Sequence, residues 1–473
     1  MRFPNMPRIN IATLTDAYKQ THYRLLPPNT RYMWSYLESR GVSDKGVTPE
    51  TLMYGTQIML KSYLEGIVLE EEDLKAAADF CKELFGGFDY FNYSQWKRMY
   101  DKYGGKLPVE IRAVPEGTVV PSHNVLMSVV NTDPEFPFIV NFLETILLQM
   151  SWYPITVASQ SFAIKRLINK WARKTGGTVN DPYHLNDFGF RGVSSTESAG
   201  IGGSAHLVNF DGTDTLRGIE YAKFYYDYKS PVYGNSVPAS EHSATIVWGE
   251  ENEVNAYRHF LTQYPEGLIS IVSDSYDLRE AIKFFGTELK DLVVNRKGKL
   301  VVRPDSGFPP TVMVQTLKDL EKYFGTEINS MGYKVLPSYV GVIYGDFIRY
   351  GMIDDICAAA EEAGFSTDNF VFGMGGALLQ QINRDTFKFA FKTSAVDING
   401  FWYDVSKHPA QDMGKKSKAG RLQLVKDADG KLITQAYNPL NVDKDVLETV
   451  FKNGEIVKSY THAEIRKRSE SYL

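Results

Sequence analysis

The chain of 473 residues carries only two cysteines, Cys81 and Cys357. Both lie in helical-looking stretches, which excludes a disulfide framework and a cysteine-built metal site. Long apolar runs are missing too: no window approaches the ~20 apolar residues that a membrane-spanning helix needs. The opening MRFPNMPRINIATLTDAYK has no continuous apolar core, so no secretory leader is expected. Positive charge is not in excess, the net charge being −5. The surface as a whole therefore does not draw in nucleic acid or anionic membrane, and phosphate-binding groups must be clustered locally. Low-complexity segments and fixed-period repeats are absent. These absences lead us to expect a soluble cytoplasmic protein with no nucleic-acid and no membrane partner.

What is present is ordinary globular composition, 43% hydrophobic and 23% charged, in a chain long enough for two cores. Residues 70–85 show helical spacing with acids at the start. Residues 107–132, LPVEIRAVPEGTVVPSHNVLMSVVNT, read as short strands broken by Pro-Glu-Gly and Ser-His-Asn turns. FIVNFLETILLQM and FAIKRLINKWARKTGG predict two helices, the second closed by Gly176 and Gly177. The rhythm then changes. HLVNF (206–210), LISIVSD (268–274), KLVVRPDSG (299–307), SYVGVIYGD (338–346) and NFVFGMGG (369–376) read as strands, with amphipathic helices between the last four. Such alternation implies parallel strands joined by crossover helices. The expected fold is α/β: a β/α-barrel-like domain over 181–394, favoured over a doubly wound sheet, with a second mixed α+β domain over 1–180 that the segment 395–473 completes.

In either fold ligands sit at the C-terminal strand ends. There the sequence places Ser273 and Asp274; Arg303, Asp305, Ser306 and Gly307; Gly345 and Asp346; and Gly373, Met374, Gly375 and Gly376, with Asp211 to Asp214 after the earliest strand. A single Asp or Gly here is better read as a helix cap or turn. Arg303 and Asp305 beside two further Asp-bearing strand ends favour function. The glycine turn FGMGGALLQ offers backbone N–H groups to an anion, and carboxylates on the same rim fit bridging Mg²⁺ or ribose hydroxyls. A phosphorylated sugar ligand follows. A second basic set, Arg384, Lys388, Lys392, Lys407, Lys415, Lys416 and Lys418, reads at its distal end equally well as a solvated loop. His242, taken alone, reads as a structural histidine at a helix start.

Motifs in matching order along nearly the whole chain carry a resemblance: TDAYKQTHY (15–23), YLESR (36–40), DFGFRGVSS (187–195), LVNFDGTDT (207–215), SVPASEHS (236–243), VSDSYD, VVRPDSG, the GD at 345–346, GGALLQ and TVFKNGEIVKSY (449–460). The chain resembles the nicotinamide phosphoribosyltransferases. The resemblance implies a homodimer with shared active sites, nicotinamide and phosphoribosyl pyrophosphate as substrates, Mg²⁺ as cofactor and ATP as a coupled co-substrate. It implies that Phe188 stacks on the pyridine ring, that Tyr18 of the other subunit covers its second face, that Asp214 receives the carboxamide N–H and that Arg191 lies nearby. It assigns Arg303, Asp305, Gly345, Asp346, Gly375 and Gly376 to ribose and phosphate. Arg40, Arg384, Lys392, Lys407 and Lys415 go to pyrophosphate and ATP. His242 becomes a phosphorylated histidine with Asp274 as its partner, and His242, Asp274 and Asp305 form the catalytic set. The metal ligands are left open, with Asp305 one candidate.

The implied reaction is displacement at the anomeric carbon, carried by positioning and charge stabilisation more than by proton transfer. Asp214 opposite a carboxamide accepts a hydrogen bond, whereas nicotinate would bring a second carboxylate against it, so nicotinamide is the expected substrate. Two positions depart from the family pattern: Asn186 replaces a histidine lining the channel to the pyridine pocket, and Ala390 replaces a serine of the phosphate clamp. Three rivals are a nicotinate enzyme, a barrel aldolase using Lys388 or Lys392 as a Schiff-base amine, and a non-catalytic binding protein.

Overall fold

The structure, a computed structural model, describes residues 9–43, 47–227, 234–407 and 417–473. The chain divides into two compact units, one of 1–159, 225–228 and 383–472, the other chiefly of 160–224 and 229–382.

In the first unit, Val109–Ala113 and Val125–Asn131 take up the strands expected from their period-2 and apolar patterning. They join an antiparallel sheet whose order is Phe401–Asp404, Ala390–Ile398, Thr30–Glu38, Val125–Asn131, Val109–Ala113, Glu448–Lys452 and Glu455–Ile456. Tyr36, Leu37, Ile111, Val129, Phe391 and Phe451 are all buried in its core. Helix Glu71–Leu84 begins with a capping box in which the side chains of Glu70 and Asp73 each accept the other's backbone N–H. Cys81 is buried in that helix and Cys357 in another, and both are free.

The segment expected to form two helices is a short one, Phe138–Phe142, followed by a single helix over Glu144–Thr175 that continues through Pro154. Proline removes one helical N–H and usually kinks the run. Here its ring packs where a Cβ on Gly55 would lie 2.5 Å from Pro154 Cγ, so Gly55 leaves the space that the ring occupies. The helix ends at Thr175, and Gly176 follows with φ +70°, as the Gly-Gly pair predicts.

The second unit holds the barrel. Its parallel strands run in the order Leu185–Asp187, Phe370–Met374, Val340–Tyr344, Lys297–Arg303 and Glu266–Val272. Val340, Val342, Leu300, Val302, Ile269 and Ile271 are buried, the continuous apolar pattern of parallel strands covered on both faces. Three parallel single-residue bridges, Asp187 to Thr213, Gly212 to Asn235 and Ala239 to Ser270, carry the sheet round from the first strand back to the last. Crossover helices Leu278–Gly286, Pro309–Phe324 and Tyr350–Glu362 bury one stripe each, including Phe285, Leu317 and Ile356. Burying each such side chain stabilises by about 1.5–3 kcal/mol. Asp277 caps the first of them, accepting the N–H groups of Arg279 and Glu280, and Pro309 opens the second.

One expected strand is absent. HLVNF is the end of helix Thr196–His206 and the turn after it. His206 stays helical because its ring is engaged on both sides, Nδ1 with Ser161 Oγ at 3.1 Å and Nε2 with Gly212 O at 3.1 Å. The barrel is joined instead by Gly212 and Thr213, directly downstream.

Candidate active site

The C-terminal strand ends surround a cavity of about 730 Å³. Phe188 and Arg191 enter from the end of Leu185–Asp187, Asp214 from the bridge segment, Arg303 and Asp305 from Lys297–Arg303, Gly345 and Asp346 from Val340–Tyr344, Gly375 and Gly376 from Phe370–Met374, and His242 from a short helix, His242–Ile246. Ten residues expected at the site thus line one cavity, and Asp274 joins them through His242. Expectation missed Phe190, Thr215, Glu241 and Ser243, which line the cavity too. Glu241 and Ser243 flank His242, and the Ser243 hydroxyl donates to the Glu241 carboxylate. Their only signal in the sequence is that adjacency.

Phe188 occupies a slot made by two glycines. A Cβ on Gly373 would stand 2.0 Å from Phe188 Cε2, and one on Gly345 3.3 Å from it. The Phe188 N–H donates to Met374 O at 3.0 Å, and the Arg303 guanidinium carbon lies 5.3 Å from the ring centroid. Asp214 Oδ1 accepts the Ser236 hydroxyl at 2.5 Å, leaving Oδ2 for a ligand.

Asp187, the residue before Phe188, is fully buried. Its Oδ1 accepts the Gly189 N–H at 2.7 Å. Burial pushes its carboxyl up to about 6, with Gly189 and Thr215 working against the rise and the charge of Asp214 adding to it. Below the usual carboxylate range both folded and unfolded chains hold this proton. As the pH climbs towards 6 only the unfolded chain releases it, so stability falls by about 3 kcal/mol across that window. Asp187→Asn keeps the acceptor for Gly189 and cannot ionise. Urea midpoints compared between pH 3.5 and 7.5 should show a shallower decline in this variant, and parallel curves would remove the assignment.

The charged rim is a chain of pairs. Arg303 Nη2 donates to Asp305 Oδ1 at 3.0 Å. Asp274 is committed on both oxygens: Oδ1 lies 3.1 Å from His242 Nε2, while Oδ2 accepts the Asp305 N–H at 2.9 Å and the Ser306 hydroxyl at 2.6 Å. With its side chain 6% exposed against 45% for His242, Asp274 is an interior support that fixes the ring at the cavity wall. Asp346 is only partly compensated. Burial, then Asp305 and Asp274, push its carboxyl up, while the Phe347 N–H and Arg303 pull it down. Gly375 and Gly376 present bare backbone, since an added Cβ at either would meet nothing nearer than 3.6 Å. The helix that Gly376 starts runs only to Leu379, a single turn, so the expected anion site rests on backbone N–H groups and Arg303 more than on a helix dipole. Among the described residues no cluster of three or more His, Cys, Asp or Glu side chains could hold a metal ion by itself.

A second cavity of about 140 Å³ fills the barrel lumen, from Phe188, Asp214 and Arg303 at the strand ends to Lys299 and Asp368 at the strand starts. Asn186 lines it, its Nδ2 donating to Tyr183 O and Phe372 O. Burial lowers the affinity of Lys299 for its proton, against the pull of Asp368 and Asp181.

The remaining site residues lie in the first unit. Tyr18 is 58% exposed and meets His22 edge to face at 4.8 Å. Arg40 Nε donates to Glu38 Oε1 at 2.6 Å, and Lys418 reaches the other oxygen of Glu38. Burial holds the Lys392 ammonium below the usual lysine range, opposed by Glu144 and reinforced by Arg40, Lys19 and Lys407, so these four cations share one field. Arg384 is apart from them, exposed beside Asp385 at 3.5 Å. Lys415 lies outside the described residues. Lys388 precedes the antiparallel strand Ala390–Ile398 and Lys392 lies within it. Neither is on a barrel strand, which removes both as lumen-facing Schiff-base amines.

Residues 183–455 match the nicotinate phosphoribosyltransferase (NAPRTase) family model, and residues 10–111 match the model of the nicotinamide phosphoribosyltransferase N-terminal domain. The chain is 42% identical to the nicotinamide phosphoribosyltransferase of Xanthomonas campestris pv. campestris over 473 residues, covering 98% of both chains. It is 33% identical to that of Acinetobacter baylyi, again over 98% of both. The fold is similar to that of a nicotinate-nucleotide pyrophosphorylase from Pyrococcus furiosus, with TM-score 0.63 at 16% identity, covering 100% of this chain and 97% of the other. It is also similar to human nicotinic acid phosphoribosyltransferase, with TM-score 0.54 at 16% identity and coverage of 97% and 93%.

Proposed function

Because the chain belongs to the nicotinamide phosphoribosyltransferase family, we propose that it joins nicotinamide to phosphoribosyl pyrophosphate, yielding nicotinamide mononucleotide and pyrophosphate for NAD salvage. The observation that carries this reading is the single cavity in which an aromatic slot, Phe188 with Asp214, meets a phosphosugar rim, Arg303 with Asp305 and Asp346. The pyridine ring stacks on Phe188 in an offset arrangement. Asp214 Oδ2 accepts the carboxamide N–H while Ser236 holds Oδ1, which fixes the ring's rotation and aims its nitrogen towards the ribose. Asp305 and Asp346 accept from the ribose hydroxyls, Arg303 and the bare turn at Gly375 and Gly376 hold the 5′-phosphate, and Arg191 lies at the ring. The C–O bond to pyrophosphate breaks as the C–N bond forms, and the carboxylates face the positive charge that grows on the ribose.

Mg²⁺ fits this rim as a guest held mostly by substrate oxygens. Asp346, whose rise is only partly offset, and the paired Asp305 would supply one or two carboxylates where a self-sufficient cage would need more. Its chemistry when bound is to neutralise the departing pyrophosphate. Tyr18, exposed on its own unit, is the residue that a second copy of the chain would bring to the other pyridine face, so the working unit is a homodimer. Arg40, Lys392, Lys407, Lys415 and Arg384 are the pyrophosphate and ATP clamp. His242, oriented by Asp274, takes the γ-phosphoryl group of ATP, and hydrolysis of that phosphohistidine draws the reaction towards product. No helix among the described residues is long and apolar enough to cross a membrane, and we place the enzyme in the cytoplasm.

One experiment tests the whole reading: product formation from phosphoribosyl pyrophosphate and Mg²⁺, with nicotinamide and nicotinate side by side, each with and without ATP, on the wild type and His242→Ala. Mononucleotide should form from nicotinamide at least tenfold faster than from nicotinate, on the order of one carboxylate repulsion. ATP should accelerate the wild type and leave His242→Ala at its basal rate. Preference for nicotinate would refute the role of Asp214. Equal stimulation of both chains would refute that of His242.

A further inference from the structure

Arg40, Lys418, Lys19, Lys392 and Lys407 form one cluster in the first unit. Lys392 feels the charges of Arg40, Lys19 and Lys407, and it pairs across the sheet with Tyr36, two residues before Glu38. The carboxylates that meet these cations are Glu38, paired with Arg40 and Lys418, and Glu144, paired with Lys19. Two acids against five cations leave a local excess of positive charge in a chain whose net charge is −5, which suits a polyanion. Glu38 is the anomaly. It is 1% exposed, and a carboxylate inside such a cluster repels the anion that the cluster attracts.

Its hydrogen bonds explain its presence. Oε1 accepts Arg40 Nε at 2.6 Å and the Tyr36 hydroxyl at 3.3 Å, while Oε2 accepts Lys418 Nζ. The Tyr36 hydroxyl in turn accepts the Lys418 backbone N–H at 2.8 Å, so Lys418 is gripped by side chain and backbone together. Ser417, the residue before it, is bonded twice to Lys407: its hydroxyl accepts the Lys407 N–H at 2.7 Å, and its own N–H donates to Lys407 O at 3.1 Å. Glu38 thus reaches Arg40 directly and Lys407 by way of Lys418 and Ser417. Burial works against the charge of Arg40, and Glu38 more than offsets it. The result is a guanidinium held in place, largely out of water and charged, which is how a preorganised anion site is built. We infer that Glu38 is the positioning residue of this cluster, the geometry it imposes on Arg40 and Lys407 outweighing its own repulsion of the anion. This rests on the reading that Arg40, Lys392 and Lys407 hold pyrophosphate.

Two substitutions separate geometry from charge. Glu38→Asp keeps the charge and withdraws it by one methylene, so that it no longer spans Arg40 and Lys418. Glu38→Gln keeps the reach and removes the charge. Equilibrium binding of inorganic pyrophosphate, and separately of nicotinamide, is measured on the wild type and both variants. Glu38→Asp should weaken pyrophosphate about tenfold and change nicotinamide less than about twofold, because misplaced groups lose affinity only for the ligand they address. Glu38→Gln should weaken pyrophosphate as well, although it removes a negative charge from the site. Unchanged pyrophosphate affinity in Glu38→Asp overturns the inference and leaves the clamp reading standing. Tighter pyrophosphate binding in Glu38→Gln also overturns it, since the carboxylate would then act as a charge alone. Equal losses of pyrophosphate and nicotinamide in Glu38→Asp would make the role purely structural, again overturning it. A wild type that binds no pyrophosphate overturns this inference and the clamp reading together.

Discussion

Arg303→Ala should lower turnover roughly 10³-fold, the scale on which loss of one preorganised charge-stabilising group is felt. The guanidinium has three simultaneous engagements: it donates to Asp305 Oδ1, lies over the Phe188 ring and offsets the rise in the Asp346 carboxyl. Without it, three aspartates, Asp274, Asp305 and Asp346, face one another with no fixed cation among them. On the proposed reading the ribosyl phosphate would then meet three carboxylates with no arginine to offset them, and the Asp346 carboxyl moves further up. Arg303→Lys keeps the charge and loses the planar fork, so it should recover only part of the rate. Steady-state kinetics on both variants decide the matter, with circular dichroism to establish that each is folded. Turnover within tenfold of wild type in Arg303→Ala would show that the phosphosugar is held elsewhere.

Gly373→Ala should raise the KM for nicotinamide about 100-fold, by adding one carbon that nicotinamide never touches. The added Cβ would sit 2.0 Å from Phe188 Cε2, 2.3 Å from Cδ2 and 2.8 Å from Cζ, so the ring must leave its slot. Overpacking of this kind costs about 1–3 kcal/mol of stability, which a protein of this size survives. Gly345→Ala is the internal comparison. Its Cβ would reach the same ring at 3.3 Å, a distance that a few tenths of an ångström relieve, and its KM should rise only a few-fold. The order of the two variants is the diagnostic. A KM unchanged in Gly373→Ala would mean that the pyridine does not rest on Phe188.

The parallel strands were legible because their two-sided burial writes an unbroken apolar run before each Asp- or Gly-bearing stop, as in LVVRPDSG and YVGVIYGD. HLVNF imitates that signal. Five apolar-rich residues fit a buried helix end as well as a strand, and of the ring bonds of His206 that decide between them one reaches back to Ser161, far upstream, and the other to nearby Gly212. The true barrel segment at Gly212 and Thr213 is too short to carry any period. That one helix runs on through Pro154 was likewise not legible: the proline ring packs into the space left by Gly55, far upstream in the chain. At the site, the charged strand ends could be read from sequence. The raised carboxyl of Asp187 could not, because burial is a property of the assembled barrel, and Glu241 carried no period, turn or strand end to mark it.

The uneven closure of the barrel has an energetic consequence. Four neighbouring strand pairs are laced by runs of parallel pairing, whereas single bridges at Asp187–Thr213, Gly212–Asn235 and Ala239–Ser270 complete the ring. Asp214, Ser236 and His242 hang on that thinly stitched side, with Phe188 at its edge. Opening there breaks few hydrogen bonds, so amide exchange on this seam should report a shallow local equilibrium beneath the global one. A ligand spanning Phe188, Asp214 and Arg303 ties the seam to the well-laced strands, and its binding free energy adds directly to closure. Substrate is in this sense the barrel's last stave: the occupied enzyme is the more completely folded one.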